Sequence, residues 1–167
     1  LTDPVRHTYN TPGSIDVVFA NGPLTATGGH PIRIREMFLD RGFYPGFTRE
    51  TLPGQGYFVI DNEADLERLW PAILELQPDV IKIILNASEE FERRRDDPDF
   101  FGSKGLDPAL APRIVERAHA SGLRVVAHID SAHDFHVAVT SGVDVIAHLG
   151  LSFLFRFWLR FGFRHEN

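Results

Sequence analysis

Three short runs of residues that are apolar on both faces constrain the fold of this chain more than any other sequence feature. They cover residues 80–85 (VIKIIL), 123–129 (LRVVAHI) and 143–149 (VDVIAHL), and segments with helical spacing of apolar residues separate them. Continuous apolar runs are typical of strands in a parallel sheet that is covered on both faces. Strands that alternate with helices through short turns predict an α/β fold with parallel strands and right-handed crossovers.

The remaining elements are predicted from spacing and from turn residues. Asn62 is predicted to cap a helix from Glu63 to Leu76, and Ser88 to cap a charged helix that ends near Arg95. Residues 42–56 contain six Gly or Pro residues and are predicted as a long loop. The other predicted elements are strands over 15–20 and 57–60 and helices over 32–41, 108–121 and 131–141.

The charge balance and the absence of cysteine exclude several classes of protein. The formal net charge of −6 provides no basic surface for nucleic acid. Because the sequence has no cysteine, any metal must bind His, carboxylate or modified Lys. No apolar run is long enough to span a bilayer. The chain starts at Leu1 without a signal pattern, so we expect it to be part of a longer sequence. Cytoplasm and periplasm both stay open as locations.

The last residues do not follow the pattern of the rest. Residues 151–163 (LSFLFRFWLRFGF) contain five Phe and one Trp with Arg between them. One interpretation is a helix that contacts a membrane surface. The other is a terminus from an interrupted reading frame, which we prefer because no polar face accompanies the aromatic residues. We therefore predict a domain over 1–149 and an atypical aromatic-rich tail over 150–167.

Lys82, His128 and His148 each introduce a polar side chain into an apolar run. A single such histidine is more often a hydrogen-bonded core residue than a ligand. Three polar residues on three neighbouring parallel strands instead indicate a convergent site at the carboxyl ends of the strands. Imidazole suits Zn²⁺ and related divalent metals. Lys82 would have to lose its proton, or be converted by CO₂ to a carbamate, because an ammonium has no lone pair.

These residues lie in a stretch that resembles the amidohydrolase superfamily. The resemblance is carried by 78–82 (PDVIK), 114–128 (IVERAHASGLRVVAH) and 138–148 (AVTSGVDVIAH), and it extends over about 15–149. The branch resembled is that of imidazolonepropionase-like and prolidase-like hydrolases. It implies a partial (β/α)8 TIM barrel, truncated at both ends and covering strands three to six, because a whole barrel needs about 250 residues.

The resemblance implies a metal-dependent hydrolase that acts on amide, ester or lactam-like C–N and C–O bonds of small molecules. Lys82, His128 and His148 match the family's metal ligands on strands four, five and six, so one or two divalent ions, zinc above all, and a carbamate on Lys82 are expected. The family's His-x-His pair on strand one and its proton-relaying Asp on strand eight have no counterpart in this sequence. We therefore expect an incomplete or inactive enzyme. The alternative is a non-catalytic α/β fragment that keeps the fold without a productive metal site.

Two further residues and one loop are candidates for supporting roles. His30 follows two glycines at a position that looks like the end of strand three; it is either a hydrogen-bond donor to a substrate carbonyl or a solvated loop residue. Asp130 either orients His128 or caps the next helix. The loop over 96–107 is either a substrate lid or a packed loop.

Overall fold

Five parallel strands form a single sheet in the computed structural model, which describes residues 6–148. The sheet order is β2-β1-β3-β4-β5, and every pair is parallel. This arrangement confirms the predicted α/β class and the partial TIM-barrel-like architecture. The strands are β1 (Leu24–Thr25), β2 (Phe58–Val59), β3 (Val80–Ile84), β4 (Arg124–His128) and β5 (Val145–Ile146).

Helices connect the strands and begin close to the predicted positions. Asn62 caps its helix as predicted, because its side chain accepts a hydrogen bond from the Asp65 N–H at 2.9 Å. The α-helices are α1 (Ile32–Asp40), α2 (Glu63–Glu75), α3 (Phe91–Arg94), α4 (Ala111–Ala120) and α5 (Ala132–Thr140). Short 3₁₀ turns cover Ser88–Glu90, Pro98–Phe100 and Pro108–Leu110.

The two faces of the sheet differ in what they contact. Side chains alternate along a strand, so one face of β3 and β4 presents residues such as Ile83 and Ala127, both fully buried, to α2 and α4. Lys82 and His128 lie on the opposite face. The apolar core between sheet and helices therefore fixes the strand register that places both polar residues together. Its largest buried members are Trp70, Phe58, Leu24, Ile60, Ile81, Ile83, Leu85, Leu106, Ile114 and Ile129.

The predicted strand over 15–20 is wrong. This segment is irregular, with Ile15 69% exposed and Val18 57% exposed, and Phe19 is its buried member. The strand beside β3 is instead β1. The sequence did not indicate β1, because it has only two residues and glycine turns lie on both sides of it. Residues 15–20 are not paired with a strand of the sheet. The Phe19 N–H donates to the Asp79 carboxylate at 2.8 Å, and the Phe19 carbonyl accepts a hydrogen bond from the Asp79 N–H.

β2 lies at the outer edge of the sheet beside β1. Two further predictions need correction. Ser88 does not cap a helix; it begins a 3₁₀ turn, and its hydroxyl donates to Asp134 at 2.5 Å. β5 is only two residues long, so the strand predicted over 143–149 ends early at Ile146.

The predicted aromatic tail lies outside the described residues. Within residues 6–148, no helix combines the length and the apolar character needed to cross a membrane.

Candidate functional site

The predicted site residues lie at or below the carboxyl ends of three neighbouring strands. His128 is the last residue of β4, and Lys82 lies in the middle of β3, where it pairs with Val126. Because His128 pairs with Ile84, Lys82 lies two residues deeper, about 7 Å along the strand. His128 is only 9% exposed, Lys82 is half-buried and His148 is exposed.

His148 reaches His128 in a way that strand alternation does not predict. Alternation would put Ile146 and His148 on the same face. Ile146 packs against the core on the helix side, whereas the His148 ring contacts the His128 ring at a centroid distance of 4.3 Å and an interplanar angle of 79°. The expected shared face is therefore wrong, because β5 ends at Ile146 and the chain departs from strand geometry before His148.

His30 joins the same cluster from β1. Its ring stacks on His128 with centroids 4.7 Å apart and an interplanar angle of 21°. The turn that carries it is tightly packed, since a Cβ on Gly29 would lie 2.3 Å from the Thr25 hydroxyl and 2.9 Å from the Lys104 carbonyl. The His30 N–H donates to that carbonyl at 2.8 Å. His30 is thus half-buried and in contact with His128, which differs from a solvated loop residue.

Burial controls the protonation of this cluster. It lowers the pKa of His128 to about 4, with further lowering by the charges of His30, His148 and Lys82. Burial also lowers the pKa of His30, which the Asp130 charge partly opposes. The pKa of Lys82 is lowered by burial and then by the Arg35 charge. At neutral pH the His128 imidazole is therefore uncharged and keeps a lone pair for a ligand or a hydrogen bond.

Asp130 does not cap the following helix. Ser131 holds that position and forms a capping box with Asp134. The Asp130 carboxylate accepts a hydrogen bond from the Asn86 amide at 2.9 Å, and its charge acts on His30. Asp130 thus connects the end of β3 with the end of β4, next to the imidazole cluster.

Asp134 is a buried carboxylate that sequence reasoning did not single out. It accepts hydrogen bonds from the backbone N–H groups of Ala87, Ser88, Asp130 and Ser131 at 2.8–3.0 Å. These bonds join the segments that follow β3 and β4. The spacing Ser131-x-x-Asp134 resembles a capping box, with Asp in place of Glu or Gln, and could have identified this residue.

The loop over 96–107 is packed against the glycine turn before His30. The Gly102 N–H donates to the Gly28 carbonyl at 2.7 Å, and Lys104, only 7% exposed, donates through Nζ to the Arg95 carbonyl. These contacts favour the packed-loop interpretation over a lid. No pattern in the sequence pointed to Lys104.

The donors fit a divalent metal in chemistry, but the imidazoles alone do not form a ligand set. Over residues 6–148, no group of three or more His, Asp or Glu side chains is arranged to hold a metal ion. The predicted set differs from such a group because it combines His128 and His148 with a modified Lys82. A neutral His128 and a lysine with a lowered pKa have the chemistry that this set requires.

Comparison with known structures supports the fold. The crystal structure of A. niger ochratoxinase is similar to this chain, with a TM-score of 0.53 and 21% sequence identity over 79% of this chain and 30% of that chain. No protein-family model matches the sequence, and no curated protein matches it. The likeness supports the α/β fold with a parallel sheet. The chain spans 30% of the length of ochratoxinase.

Proposed function

We propose that this chain contributes part of the active site of a metal-dependent hydrolase of the amidohydrolase type. The observation that supports the proposal best is the contact of three imidazoles from separate strand ends above Lys82. The substrates would be small molecules with amide, ester or lactam-like bonds. In this proposal His128, His148 and a carbamate on Lys82 would hold a divalent ion, zinc being the first candidate.

The bound ion would polarise the scissile carbonyl and lower the pKa of a water molecule. The residues of this chain then have separate roles. His30, stacked on His128, would donate a hydrogen bond to the substrate carbonyl oxygen. Asp130 would keep the end of β4 in place through its bond from Asn86. The low pKa of His128 would keep its lone pair available throughout the physiological pH range.

Metal uptake tests the metal-site part of the proposal. The purified full chain is equilibrated with Zn²⁺ and bicarbonate, separated from free metal and analysed by plasma emission spectroscopy. We expect about one equivalent of zinc, and a large loss in Lys82→Met and His128→Gln. His136→Gln is the matched control, because His136 is exposed on α5. Retention of less than about a tenth of an equivalent by the unaltered chain would contradict the proposal.

Hydrolysis assays separate the enzyme from the non-catalytic alternative. The zinc-loaded chain is incubated with a panel of N-acyl amino acids, aryl esters and lactams. Turnover that requires zinc and disappears in Lys82→Met supports a hydrolase. Stoichiometric zinc without turnover of any compound would show that this chain binds the metal but does not carry a complete active site.

A further inference from the structure

Arg35 differs from the other half-buried arginines of the described chain. Four arginines between residues 6 and 148 are half-buried, and three of them form ion pairs. Arg35 has no carboxylate within ion-pair distance among the described residues. A partly buried charge without a counter-ion is unfavourable, so binding an anionic ligand there would be favourable. The three paired arginines contact these carboxylates: Arg6 with Asp79, Arg94 with Glu90 and Arg117 with Glu67.

The Arg35 side chain is held in one orientation by Tyr44. Its Nη1 donates to the Tyr44 hydroxyl at 2.7 Å, and its guanidinium carbon lies 5.7 Å from the centroid of the Tyr44 ring. Tyr44 in turn contacts Phe38 and Phe47 edge-on. Within residues 6–148, Tyr44 is the acceptor for the guanidinium, and one hydrogen bond to a neutral hydroxyl leaves its other N–H groups available for a ligand. The side chain is therefore pre-organised and still able to bind an oxyanion through two parallel bonds.

Arg35 also lies on the site side of the molecule. It belongs to the first turns of α1, which begins two residues after His30, and the Arg35 N–H donates to the Pro31 carbonyl at 3.0 Å. Because α1 follows the carboxyl end of β1 in the parallel sheet, its first turns lie at the same end of the sheet as the imidazole cluster. Arg35 thus provides a positive charge at this side of the site.

We propose that Arg35, oriented by Tyr44, is the residue that recognises an anionic group of the substrate, a carboxylate or a phosphate. The inference takes the site from the proposed function and adds the class of substrate. A substrate with its reacting carbonyl near His30 would place its oxyanion against the guanidinium. The Tyr44 ring lies next to the guanidinium, and Phe38 and Phe47 pack against Tyr44.

Calorimetric titration of the full chain tests this assignment. The probes are N-acetyl-phenylalanine, its neutral amide and phenyl phosphate, each in buffer with EDTA so that binding does not depend on metal. We expect an anionic probe to bind the unaltered chain about tenfold or more tightly than the neutral amide, because a charged hydrogen-bond pair is lost with the charge. Tighter binding of the carboxylate or of the phosphate identifies which oxyanion the site prefers.

Variants at two arginines show whether Arg35 is responsible. Arg35→Gln should lose the preference for the anionic probes, and Arg35→Lys should restore part of it. Arg41→Gln should retain the preference, because Arg41 is exposed and follows α1. A melting curve by circular dichroism checks that each variant is folded. Equal or undetectable binding of all three probes to the unaltered chain, or an unchanged preference in Arg35→Gln, would overturn the assignment.

The zinc measurement keeps this inference distinct from the proposed function. An anion preference that depends on Arg35 in a chain that takes up no zinc would contradict the proposed function alone. Zinc uptake without any anion preference would contradict this inference alone.

Discussion

His128 is the residue on which the candidate site depends most. It contacts His30 on one side and His148 on the other, and it is the most buried of the three imidazoles. Burial favours its neutral form, so the folded protein binds a proton at His128 less readily than the unfolded chain does. Folding stability must therefore depend on pH through this residue.

The expected pH dependence has a definite sign. The pKa of His128 falls from 6.5 to about 4 on folding, so between these values the unfolded state binds more protons and stability decreases as the pH falls. We expect the unaltered chain to lose about 2 kcal/mol more of its unfolding free energy than His128→Gln between about pH 7 and about pH 4.5. Urea unfolding at both pH values measures the difference.

A matched control is provided by an exposed histidine. His133→Gln should show the same pH dependence as the unaltered chain, because His133 is exposed on α5 and is not one of the three imidazoles in contact. Identical pH dependence in His128→Gln and the unaltered chain would show that His128 is not buried in its neutral form.

At the residue scale, the sequence predicts which strands carry unusual side chains but not what those side chains contact. Lys82 and His128 stand out because each interrupts an apolar run. The structure confirms that the two strands that carry them are parallel neighbours. His30 does not stand out in this way, since a histidine after two glycines is typical of an exposed loop. Its contact with His128 comes from tertiary packing of the Gly29 turn against Lys104, which no local pattern records. Arg35 was missed for the same reason.

At the element scale, Asp134 connects the segments that carry the site. Its carboxylate is fully buried, and the pKa is lowered because hydrogen bonds from Ser88, Asp130 and Ser131 outweigh the opposing effect of burial. The same residue completes the capping box of α5. One side chain therefore sets the start of a helix and the relative position of the ends of β3 and β4.

Replacing the Asp134 carboxylate should destabilise the protein strongly. Asp134→Asn retains the shape but turns an amide NH₂ group toward backbone N–H donors, which leaves buried donors unpaired. We expect a loss of about 2–4 kcal/mol in unfolding free energy by urea denaturation. Asp97→Asn is the control, because Asp97 caps a short 3₁₀ turn from a partly exposed position and should cost about 1 kcal/mol or less. Equal losses in both variants would contradict this role of Asp134.

Element prediction succeeded where a strong local signal agreed with tertiary packing. The helix that starts after Asn62 has both a cap and an amphipathic spacing, and its observed bounds are Glu63–Glu75. β1 has only two residues between glycine turns, so neither length nor alternation could reveal it. Residues 15–20 were predicted as a strand because their composition is apolar. Only Phe19 is buried in this segment, so the apolar composition does not reflect burial in a sheet.

At the scale of the whole molecule, the fold class was predictable because three apolar runs alternate with two helices, which is the repeated strand–helix unit of an α/β fold. The outer position of β2 was not, because chain order does not specify which strands become neighbours. The sheet of the described residues has β2 and β5 at its edges and β3 and β4 in its interior. A closed barrel has no such edges, so local stability should differ strongly across this sheet.

Hydrogen exchange followed by NMR measures that difference. β3 and β4 pair over five residues, and Ile83 and Ala127 are fully buried, so their amides should exchange only through global unfolding. β5 pairs over two residues and has an exposed valine, Val145, so the amides of β5 should exchange through local opening at much lower free energy. A low concentration of urea should accelerate exchange in β3 and β4 while leaving exchange in β5 nearly unchanged, because only global unfolding exposes a large surface. Equal protection and equal urea sensitivity in all these strands would show that the sheet edge is as stable as the centre.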